Sequence, residues 1–333
     1  MPTLASSDQA LRIAVVTTSY PRSRGDPAGH FVASEVAELA RRGHELTVIA
    51  PGRGVCAFDD GSRIVRISDG GVFGWPGALE RLREKPWRAS GALRFAHGAR
   101  RALREHGPFD RVIAHWIVPC GFPISLTGGA RELELVAHGG DVRLLLALPR
   151  ALRRSIVERL LAKGARFRFV SAALRDELVS GTSSALARAS SVAPCPIHLG
   201  SVPSRRAARE RLGLDTAERL AVISGRLVPS KRTRVALEAL MLVPELRVVV
   251  VGDGPERRKL EARFERVSFV GQLPRPEALS VIAAADVVVS ASRDEGAPSV
   301  VREARALGVP VVAARSGDLA AWAARDGGLY VVD

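Results

Sequence analysis

Short apolar stretches alternate with amphipathic stretches along nearly the whole sequence. The first apolar stretch, RIAVVTT at 12–18, is followed by HFVASEVAELARRG at 30–43, in which Val32, Val36 and Leu39 recur at helical spacing; ELTVIA at 45–50 comes next. A strand, a helix and a second strand in this order predict a parallel sheet, in which buried strands are continuously apolar. The sequence therefore predicts an α/β protein.

The alternation is interrupted once and then restarts. The interruption is the segment from Ser190 to Ser204, which is rich in Ser, Pro and Gly and has no helical periodicity, as is typical of a linker or hinge. Further strands are predicted before it at 64–67, 111–115, 134–138 and 167–171, and after it at 220–225, 246–252, 267–271, 286–291, 309–314 and 328–332. A length of 333 residues also exceeds what one core usually supports. We expect two Rossmann-like βαβ domains, residues 1–198 and 199–333, facing across a cleft.

The chain is strongly basic, with 49 Lys and Arg residues against 35 Asp and Glu and a formal net charge of +14. This charge indicates an anionic partner, which is a phosphorylated substrate, a membrane surface or a nucleic acid, or else it reflects a generally solvated basic surface. Charge alone does not choose among these readings.

The compartment is indicated by what the sequence lacks. No apolar stretch approaches the roughly 20 residues that cross a bilayer, and MPTLASSDQA at the start has no basic region followed by an apolar run, as a secretory signal has. Cys56, Cys120 and Cys195 are isolated and lack metal-ligand spacing, which favours a reducing compartment over disulfides or a zinc site. We expect a cytoplasmic protein.

The segment SASRDEGAPSVVREARALGVPVVA, from Ser290 to Ala313, places two glutamates just after a predicted strand. Glu295 lies in the loop, and Ser299 begins a helix that carries Glu303 about one turn in. Backbone N–H groups at a helix start bind anionic oxygens, and ionised carboxylates accept hydrogen bonds from sugar hydroxyls. Together they predict a site for a nucleotide sugar.

Cations for the diphosphate of such a ligand are supplied by GRLVPSKRTRVALEAL at 225–240. Arg226 follows a predicted strand, and Lys231 lies near the start of the next helix. A leaving diphosphate gains negative charge as the glycosidic bond breaks, so cations aimed at it stabilise the transition state. The sequence has no DxD-type aspartate cluster, and we expect neither a metal ion nor another cofactor.

These residues give the C-terminal half a resemblance to the retaining glycosyltransferases of family 4, which have the GT-B fold. The family's two glutamates separated by seven residues match Glu295 and Glu303, and its strand-end Arg followed by Lys matches Arg226 and Lys231. The blocks VVVVGDGPERRKLEA, VSFVGQLPRPEAL and ADVVVSASRDEGAPSVVREARALGVPVVA are similar to the family blocks in order and spacing. The strong match covers roughly residues 219–324.

The resemblance implies a role for each matched residue. Arg226 and Lys231 would bind the diphosphate, Glu303 the ribose hydroxyls, and Glu295 the donor sugar. The segment after Glu295 would complete the donor site; its residues are Gly296, Ala297, Pro298 and Ser299. The implied donor is a sugar nucleotide of the UDP or GDP type.

The N-terminal half resembles the same family more weakly, in a branch that acts on bacterial cell-surface polysaccharides. The family's glycine-rich loop corresponds to Gly25 through Gly29, and Gly29 would approach the donor. His138, in AHGGDVR, is the candidate for a hydrogen bond to the transferred sugar, with a structural histidine as the alternative. His115 and Trp116 are predicted to be structural, with contact to the acceptor as the alternative. The sequence departs from the family in ProCysProIle at 194–197 and in the lack of closing helices before Asp333.

The basic surface can be placed more narrowly. Residues 75–106 combine Arg and Lys with Trp75, Leu79, Trp87 and Phe95, a composition that suits either an anionic membrane interface or an ordinary helix that buries its aromatic side chains. A membrane interface at the inner face of the cell membrane is where a lipid-linked acceptor would be found.

We therefore predict a retaining, metal-independent glycosyltransferase that moves a sugar from a nucleoside diphosphate to a hydroxyl of a glycan or lipid-linked acceptor. One alternative is a sugar-nucleotide epimerase of the same architecture. Another is a basic protein that binds nucleic acid or other polyanions, although no nucleic-acid-binding motif is evident and we expect no nucleic-acid partner.

Overall fold

The computed structural model describes residues 10–23, 25–57, 60–74, 77–127, 129–215 and 217–333, and within these ranges the chain forms two compact units. The first unit comprises the segment that ends at Tyr20, Val32–Phe169 and Leu178–Pro196. The second comprises Pro21–Phe31, Val170–Glu177 and Ile197–Asp333. Two short segments from the N-terminal half thus belong to the second unit, which the sequence did not indicate. The predicted domain boundary at 198/199 stays a prediction.

Among the described residues, the first unit contains a sheet of eight strands in the order β3-β4-β2-β1-β5-β6-β7-β8. All neighbouring strands pair in parallel except β3 and β4. The strands are β1 Arg12–Val16, β2 Glu45–Pro51, β3 Gly54–Ala57, β4 Arg63–Ile67, β5 Arg111–His115, β6 Glu132–Ala137, β7 Arg166–Phe169 and β8 Ser190–Val192. The helices between them are α1 His30–Arg41, α2 Ala78–Glu84, α3 Ala89–His106, α4 Gly140–Ala147, α5 Arg150–Ala162, α6 Ala172–Ser180 and α7 Ser184–Arg188.

The sequence missed two of these strands. The strand β3 is short and pairs antiparallel with β4, so it lies at the sheet edge, where apolar patterning is weak. The strand β8 occupies the start of the predicted linker: Ser190 and Val192 pair with Phe167 and Phe169 of β7. The linker prediction is therefore wrong for Ser190–Val192, because backbone pairing with a buried neighbour made a strand of residues that have no strand pattern of their own.

The second unit contains a parallel sheet of six strands in the order β11-β10-β9-β12-β13-β14 within the described residues. The strands are β9 Arg219–Ser224, β10 Leu246–Val251, β11 Ser268–Gly271, β12 Val287–Ser290, β13 Val311–Ala314 and β14 Leu329–Val332. The helices are α8 Arg205–Arg211, α9 Thr233–Leu240, α10 Arg257–Arg263, α11 Arg275–Ala284, α12 Ser299–Ala306 and α13 Leu319–Ala323. The six strands predicted here are all present.

The strand β9 shows why this sheet is stable. Leu220 and Val222 belong to one apolar cluster, whereas Ala221 and Ile223 belong to another. Since successive side chains of a strand point to opposite faces, the sheet buries both faces. Burial on both faces is what the unbroken apolar runs of the sequence required.

The strand order in the second sheet reverses at β9, which lies between β10 and β12. In open parallel sheets, the crevice beyond the carboxyl ends of the strands at such a reversal is the usual ligand site. The loop after β9 begins with Gly225 and Arg226, and the loop after β12 contains Glu295. Two segments that the sequence selected for their chemistry therefore lie at neighbouring strand ends.

The described helices are too short or too polar to span a membrane. Among the residues that the structure describes, none of the helices combines the length and the apolar character needed to cross a bilayer.

A close backbone approach supports the edge of the second sheet where these loops begin. Gly252, which follows β10, has a φ of +139°, and a Cβ atom at this position would lie 1.8 Å from the carbonyl oxygen of Gly225. Gly308 also has a positive φ, of +75°, but a Cβ atom there would meet no atom within 4 Å.

We expect Gly252→Ala to destabilise the protein more than Gly308→Ala, which serves as its control. Both changes place a side chain on a backbone with positive φ, which costs about 1–2 kcal/mol. Gly252→Ala adds an overlap with Gly225, and overpacking of this kind costs about 1–3 kcal/mol more. Urea unfolding of both variants measures the difference. Equal losses of unfolding free energy would contradict a constraint at this strand end.

Candidate active site

Glu295 and Lys231, predicted separately from the sequence, form a direct ion pair in the second unit. Lys231 ends the short helical turn Pro229–Lys231, and its ammonium group donates to Glu295 Oε1. The hydroxyl of Ser292 donates to the same oxygen at 2.8 Å. The backbone N–H of Glu295 donates to Ser316 Oγ at 2.7 Å, and this hydrogen bond fixes the loop that carries Glu295. Glu295 is thus held through both its side chain and its backbone.

The charges around Glu295 decide its ionisation. Burial by itself would raise the pKa of Glu295, but the Lys231 ammonium, the Ser292 hydroxyl and the Arg226 guanidinium together hold that pKa below its usual value. Glu295 is therefore ionised at neutral pH. Lys231 thus pairs directly with this carboxylate, and Arg226 is near enough for its charge to act on it.

The segment after Glu295 leads into α12, which begins at Ser299. Gly296 and Pro298 are buried, whereas Ala297 and Ser299 are half-buried. No side chain caps the start of α12, so its first N–H groups are not satisfied by a capping residue. The helix begins at Ser299, which is where the sequence analysis predicts its start.

Glu303 lies one turn into α12 and contacts two residues that the sequence did not single out. Arg275 Nη1 donates to Glu303 Oε1 at 2.7 Å, and His30 Nε2 lies 3.2 Å from the same oxygen. Burial would raise the pKa of Glu303, but His30 and Arg275 hold it below the usual value. Glu303 is therefore a buried, ionised carboxylate.

The glycine-containing loop lies beside Glu303 in the same unit. Gly25 and Gly29 have φ values of +82° and +66°, and the backbone N–H of Arg275 donates to Gly25 O at 2.8 Å. The Asp26 carboxylate accepts from the backbone N–H groups of Arg22 and Ala28, which closes the turn. The turn explains why glycines occur here, and it places Gly29 immediately before His30.

His138 lies in the first unit, in a cluster built on the ends of β5 and β6. His138 Nε2 and His115 Nδ1 are 3.0 Å apart, and the Trp116 ring centroid is 4.9 Å from that of His138. The Asp141 carboxylate accepts from the backbone N–H groups of His138, Gly139 and Ile117. Asp141 therefore fixes the loops after both strands, a role that the sequence did not indicate.

Burial sets the charge state of this cluster. It lowers the pKa of His138 to about 3 and that of His115 well below the usual value, with the Arg168 guanidinium adding to both effects. It also raises the pKa of Glu35, against the lowering effect of Arg168, with which Glu35 forms an ion pair. Both imidazoles are neutral at physiological pH.

Cys195 joins the two histidines, although the spacing of the cysteines had argued against any metal-ligand set. Ligand atoms of His115, His138 and Cys195 all lie within 4.8 Å of one another. Burial raises the pKa of the Cys195 thiol, and Arg168 brings a positive charge to the same place. A metal ion at this place would have to displace the thiol proton, and the metal independence expected from the sequence stays a prediction.

Comparison with known proteins identifies the family. The family described as Glycosyltransferase Family 4 matches residues 28–199, which is more than half of the chain. The family described as Glycosyl transferases group 1 matches residues 204–328. This chain belongs to glycosyltransferase family 4.

Two relatives match this glycosyltransferase along most of their length. A protein of Bacillus subtilis named as a teichuronic acid biosynthesis glycosyltransferase, TuaC, is 29% identical over 91% of this chain and 80% of its own. A GDP-mannose-dependent alpha-(1-6)-phosphatidylinositol monomannoside mannosyltransferase of Mycolicibacterium smegmatis is 30% identical over the same shares. The enzyme is therefore a transferase, and neither alternative, epimerase or polyanion-binding protein, gains support.

Solved structures confirm the fold class predicted for the glycosyltransferase. Sucrose-phosphate synthase of Thermosynechococcus elongatus has a TM-score of 0.74 at 22% identity and covers 97% of this chain and 86% of its own. HepE of Anabaena, in complex with UDP-glucose, has a TM-score of 0.69 at 19% identity and covers 97% and 85%. The likeness shows the GT-B fold.

The basic stretch at residues 75–106 of this glycosyltransferase is only partly buried. Trp87 is 70% exposed and Leu93 is 74% exposed, whereas Phe95 is fully buried. Phe95 is thus a core residue and not part of a surface. Trp75 and the side chain of Leu79 lie outside the described part of the structure.

Proposed function

We propose that this glycosyltransferase takes its sugar from a nucleoside diphosphate and that the second unit binds this donor. The observation that carries the proposal is the Lys231–Glu295 ion pair, with the charge of Arg226 acting on the same carboxylate, at the strand-order reversal of the second sheet. Two cations near a carboxylate suit a diphosphate joined to a sugar, since the phosphates need cations and the hydroxyls need acceptors. The UDP-glucose complex of HepE, which shares the fold, supports this choice of donor.

The roles that we propose for individual residues are those that the resemblance to the family implies. Arg226 and Lys231 bind the diphosphate, and Glu295 binds the transferred sugar together with the backbone from Gly296 to Ser299. Glu303 binds the ribose hydroxyls, and Gly29 approaches the donor. His138, neutral because of burial, keeps its predicted hydrogen bond to the sugar.

The ion pair between Lys231 and Glu295 suggests how the site works. In the structure as it stands, the Lys231 ammonium is balanced by Glu295. A diphosphate offers Lys231 a second, more highly charged partner, while Glu295 gains sugar hydroxyls as new donors. As the glycosidic bond breaks, the leaving oxygen becomes more negative, and both cations stabilise it more strongly than in the ground state. We propose transfer with retention of configuration and without a metal ion, by front-face attack assisted by the leaving phosphate.

We further propose a hydroxyl acceptor on a glycan or a lipid-linked molecule. One relative is named for teichuronic acid biosynthesis, and the other for phosphatidylinositol monomannoside. The exposed Trp87 lies in the helical turn just before α3, and the exposed Leu93 lies within α3 beside basic residues such as Arg94 and Arg101. This combination suits an anionic membrane surface at the cytoplasmic side.

The donor proposal predicts that UDP or GDP stabilises the folded protein. A ligand at about a hundred times its dissociation constant contributes about 2.7 kcal/mol, which raises the melting temperature measurably. Thermal-shift measurements with a panel of nucleoside diphosphates and nucleotide sugars, each with and without EDTA, test both the donor class and the independence from metal. The absence of a shift with every nucleotide would refute the donor proposal, and a shift abolished by EDTA would refute metal independence.

The proposed roles also predict different kinetic defects. Arg226→Ala and Lys231→Ala should lower turnover roughly a hundred- to thousandfold, because each removes a cation aimed at developing charge. Glu303→Ala should mainly raise the Michaelis constant for the donor, because ribose hydroxyls do not change charge during transfer. Steady-state kinetics on folded variants, with the donor identified in the panel, measure both parameters. Wild-type turnover in both cation variants would show that the cations do not stabilise the leaving group.

The membrane proposal predicts salt-sensitive binding to vesicles that contain anionic lipid. Each basic residue near such a surface contributes about 1 kcal/mol, so Arg94→Glu combined with Arg101→Glu should abolish vesicle co-sedimentation. A matched control is Arg206→Glu combined with Arg211→Glu on α8, which should leave vesicle binding unchanged. Equal binding to neutral vesicles, or binding unaffected by the α3 changes, would argue against this surface.

A further inference from the structure

The two oxygens of the Glu303 carboxylate differ in the partners that they bind. Arg275 Nη1 and His30 Nε2 both contact Oε1. Among the described residues, no hydrogen bond or ion pair reaches Oε2, although the Glu303 side chain is only 7% exposed. The large majority of buried side-chain polar atoms have at least one hydrogen-bond partner. One oxygen of Glu303 is therefore saturated by the protein, and the other is left for a ligand.

Arg275 is itself held at several points, so it can fix the carboxylate rather than follow it. Its Nη2 donates to His198 O at 3.1 Å, its Nη1 to Glu303, and its backbone N–H to Gly25 O. The planar guanidinium is thus fastened at both of its ends by partners from different segments. A fork held in this way loses little further freedom when it orients its partner.

His30 completes the arrangement from the other side. Its Nδ1 lies 2.9 Å from Pro27 O, an atom that only accepts, so Nδ1 carries a proton. His30 Nε2 lies 3.2 Å from Glu303 Oε1 and attracts that oxygen when Nε2 is protonated as well. His30 follows directly after Gly29 in the chain. The loop from Gly25 to His30 is consequently attached to Glu303 and Arg275 at two points.

We propose that Arg275 and His30 are positioning residues of the donor site, which hold Glu303 with Oε1 occupied and Oε2 presented to the ribose of the nucleoside diphosphate. The proposal rests on the proposed function, since it deepens the role of Glu303. Neither residue needs to touch the nucleotide. They affect nucleotide binding indirectly, because they orient Glu303 so that its Oε2 atom can accept hydrogen bonds from the ribose.

This indirect action gives a signature that a merely structural residue would not produce. If Arg275 acts through Glu303 and the ribose, its removal weakens only nucleotides that have ribose hydroxyls. A residue that contacted the phosphates, or that simply stabilised the unit, would affect nucleotides with and without those hydroxyls alike. The comparison of a nucleotide with its 2′,3′-dideoxy analogue therefore isolates the proposed role.

The experiment is isothermal titration of wild type, Arg275→Ala, His30→Ala, Glu303→Ala and the Arg275→Ala/Glu303→Ala double variant. The probes are UDP or GDP, whichever stabilises the protein, and its 2′,3′-dideoxy analogue. Hydrogen bonds to charged groups contribute about 1.5–3 kcal/mol, so we expect Arg275→Ala and Glu303→Ala each to weaken the ribonucleotide about tenfold or more. For the dideoxy analogue we expect less than a twofold change, and in the double variant no further loss beyond Glu303→Ala.

The matched control is Arg305→Ala, which removes a half-buried ion pair with Asp326 from the same helix as Glu303. It should leave both affinities unchanged. Arg275→Lys, which keeps the charge, guards against a variant that fails to fold, and melting temperatures are recorded for all.

Three outcomes would overturn the proposal. Equal weakening of both nucleotides by Arg275→Ala would show a direct contact or a general distortion. Unchanged ribonucleotide affinity in Arg275→Ala, Arg275→Lys and His30→Ala would show that Glu303 needs no positioning. If wild type binds neither nucleotide, the donor assignment itself fails, and the positioning role fails with it.

Discussion

Parallel strand pairing is the constraint on which the rest of this molecule depends. Because the strands of the second sheet are all parallel, the loops that follow them leave from one edge, and the loops after the neighbouring strands β9 and β12 lie side by side where the strand order reverses. Glu295 is far in sequence from Arg226 and Lys231, and it comes near them for this reason. The close approach of Gly252 to Gly225 at the same edge shows how tightly the strand ends are packed.

Buried carboxylates form the second common theme. Glu303, Glu35 and Asp141 are buried and Glu295 is half-buried, and burial alone disfavours the charge of each. In the second unit, Lys231 overcomes this effect at Glu295, and His30 together with Arg275 overcomes it at Glu303, so both glutamates have lowered pKa values. In the first unit, burial outweighs Arg168 and the backbone N–H groups, and the pKa values of Glu35 and Asp141 are raised. The two glutamates with lowered pKa values are those that we assign to the donor, whereas Asp141 fixes the loops that carry His138 and Glu35 pairs with Arg168.

Individual residues show what a sequence pattern can and cannot indicate. Glu295, Glu303, Arg226 and Lys231 follow strands with clear apolar runs and match the spacing of the family, and their roles stay predictions. The β8 strand was missed because Ser190–Val192 has no pattern of its own and pairs only because Phe167 and Phe169 lie beside it. Arg275, His30, Asp141 and the contact of Cys195 with two histidines have no local pattern either, since their importance comes from partners in distant segments.

The sequence by itself determined the α/β class, the strands of the second unit and the residue types at their carboxyl ends, because these depend on local periodicity and on short spacings. The tertiary structure alone decided which charges meet. It placed Lys231 on Glu295, gave one oxygen of Glu303 to Arg275 and His30, and assigned the loop from Pro21 to Phe31 to the second unit. These contacts join residues that are far apart in sequence. A side-chain pattern along the chain does not tell which distant segments come together in the folded protein.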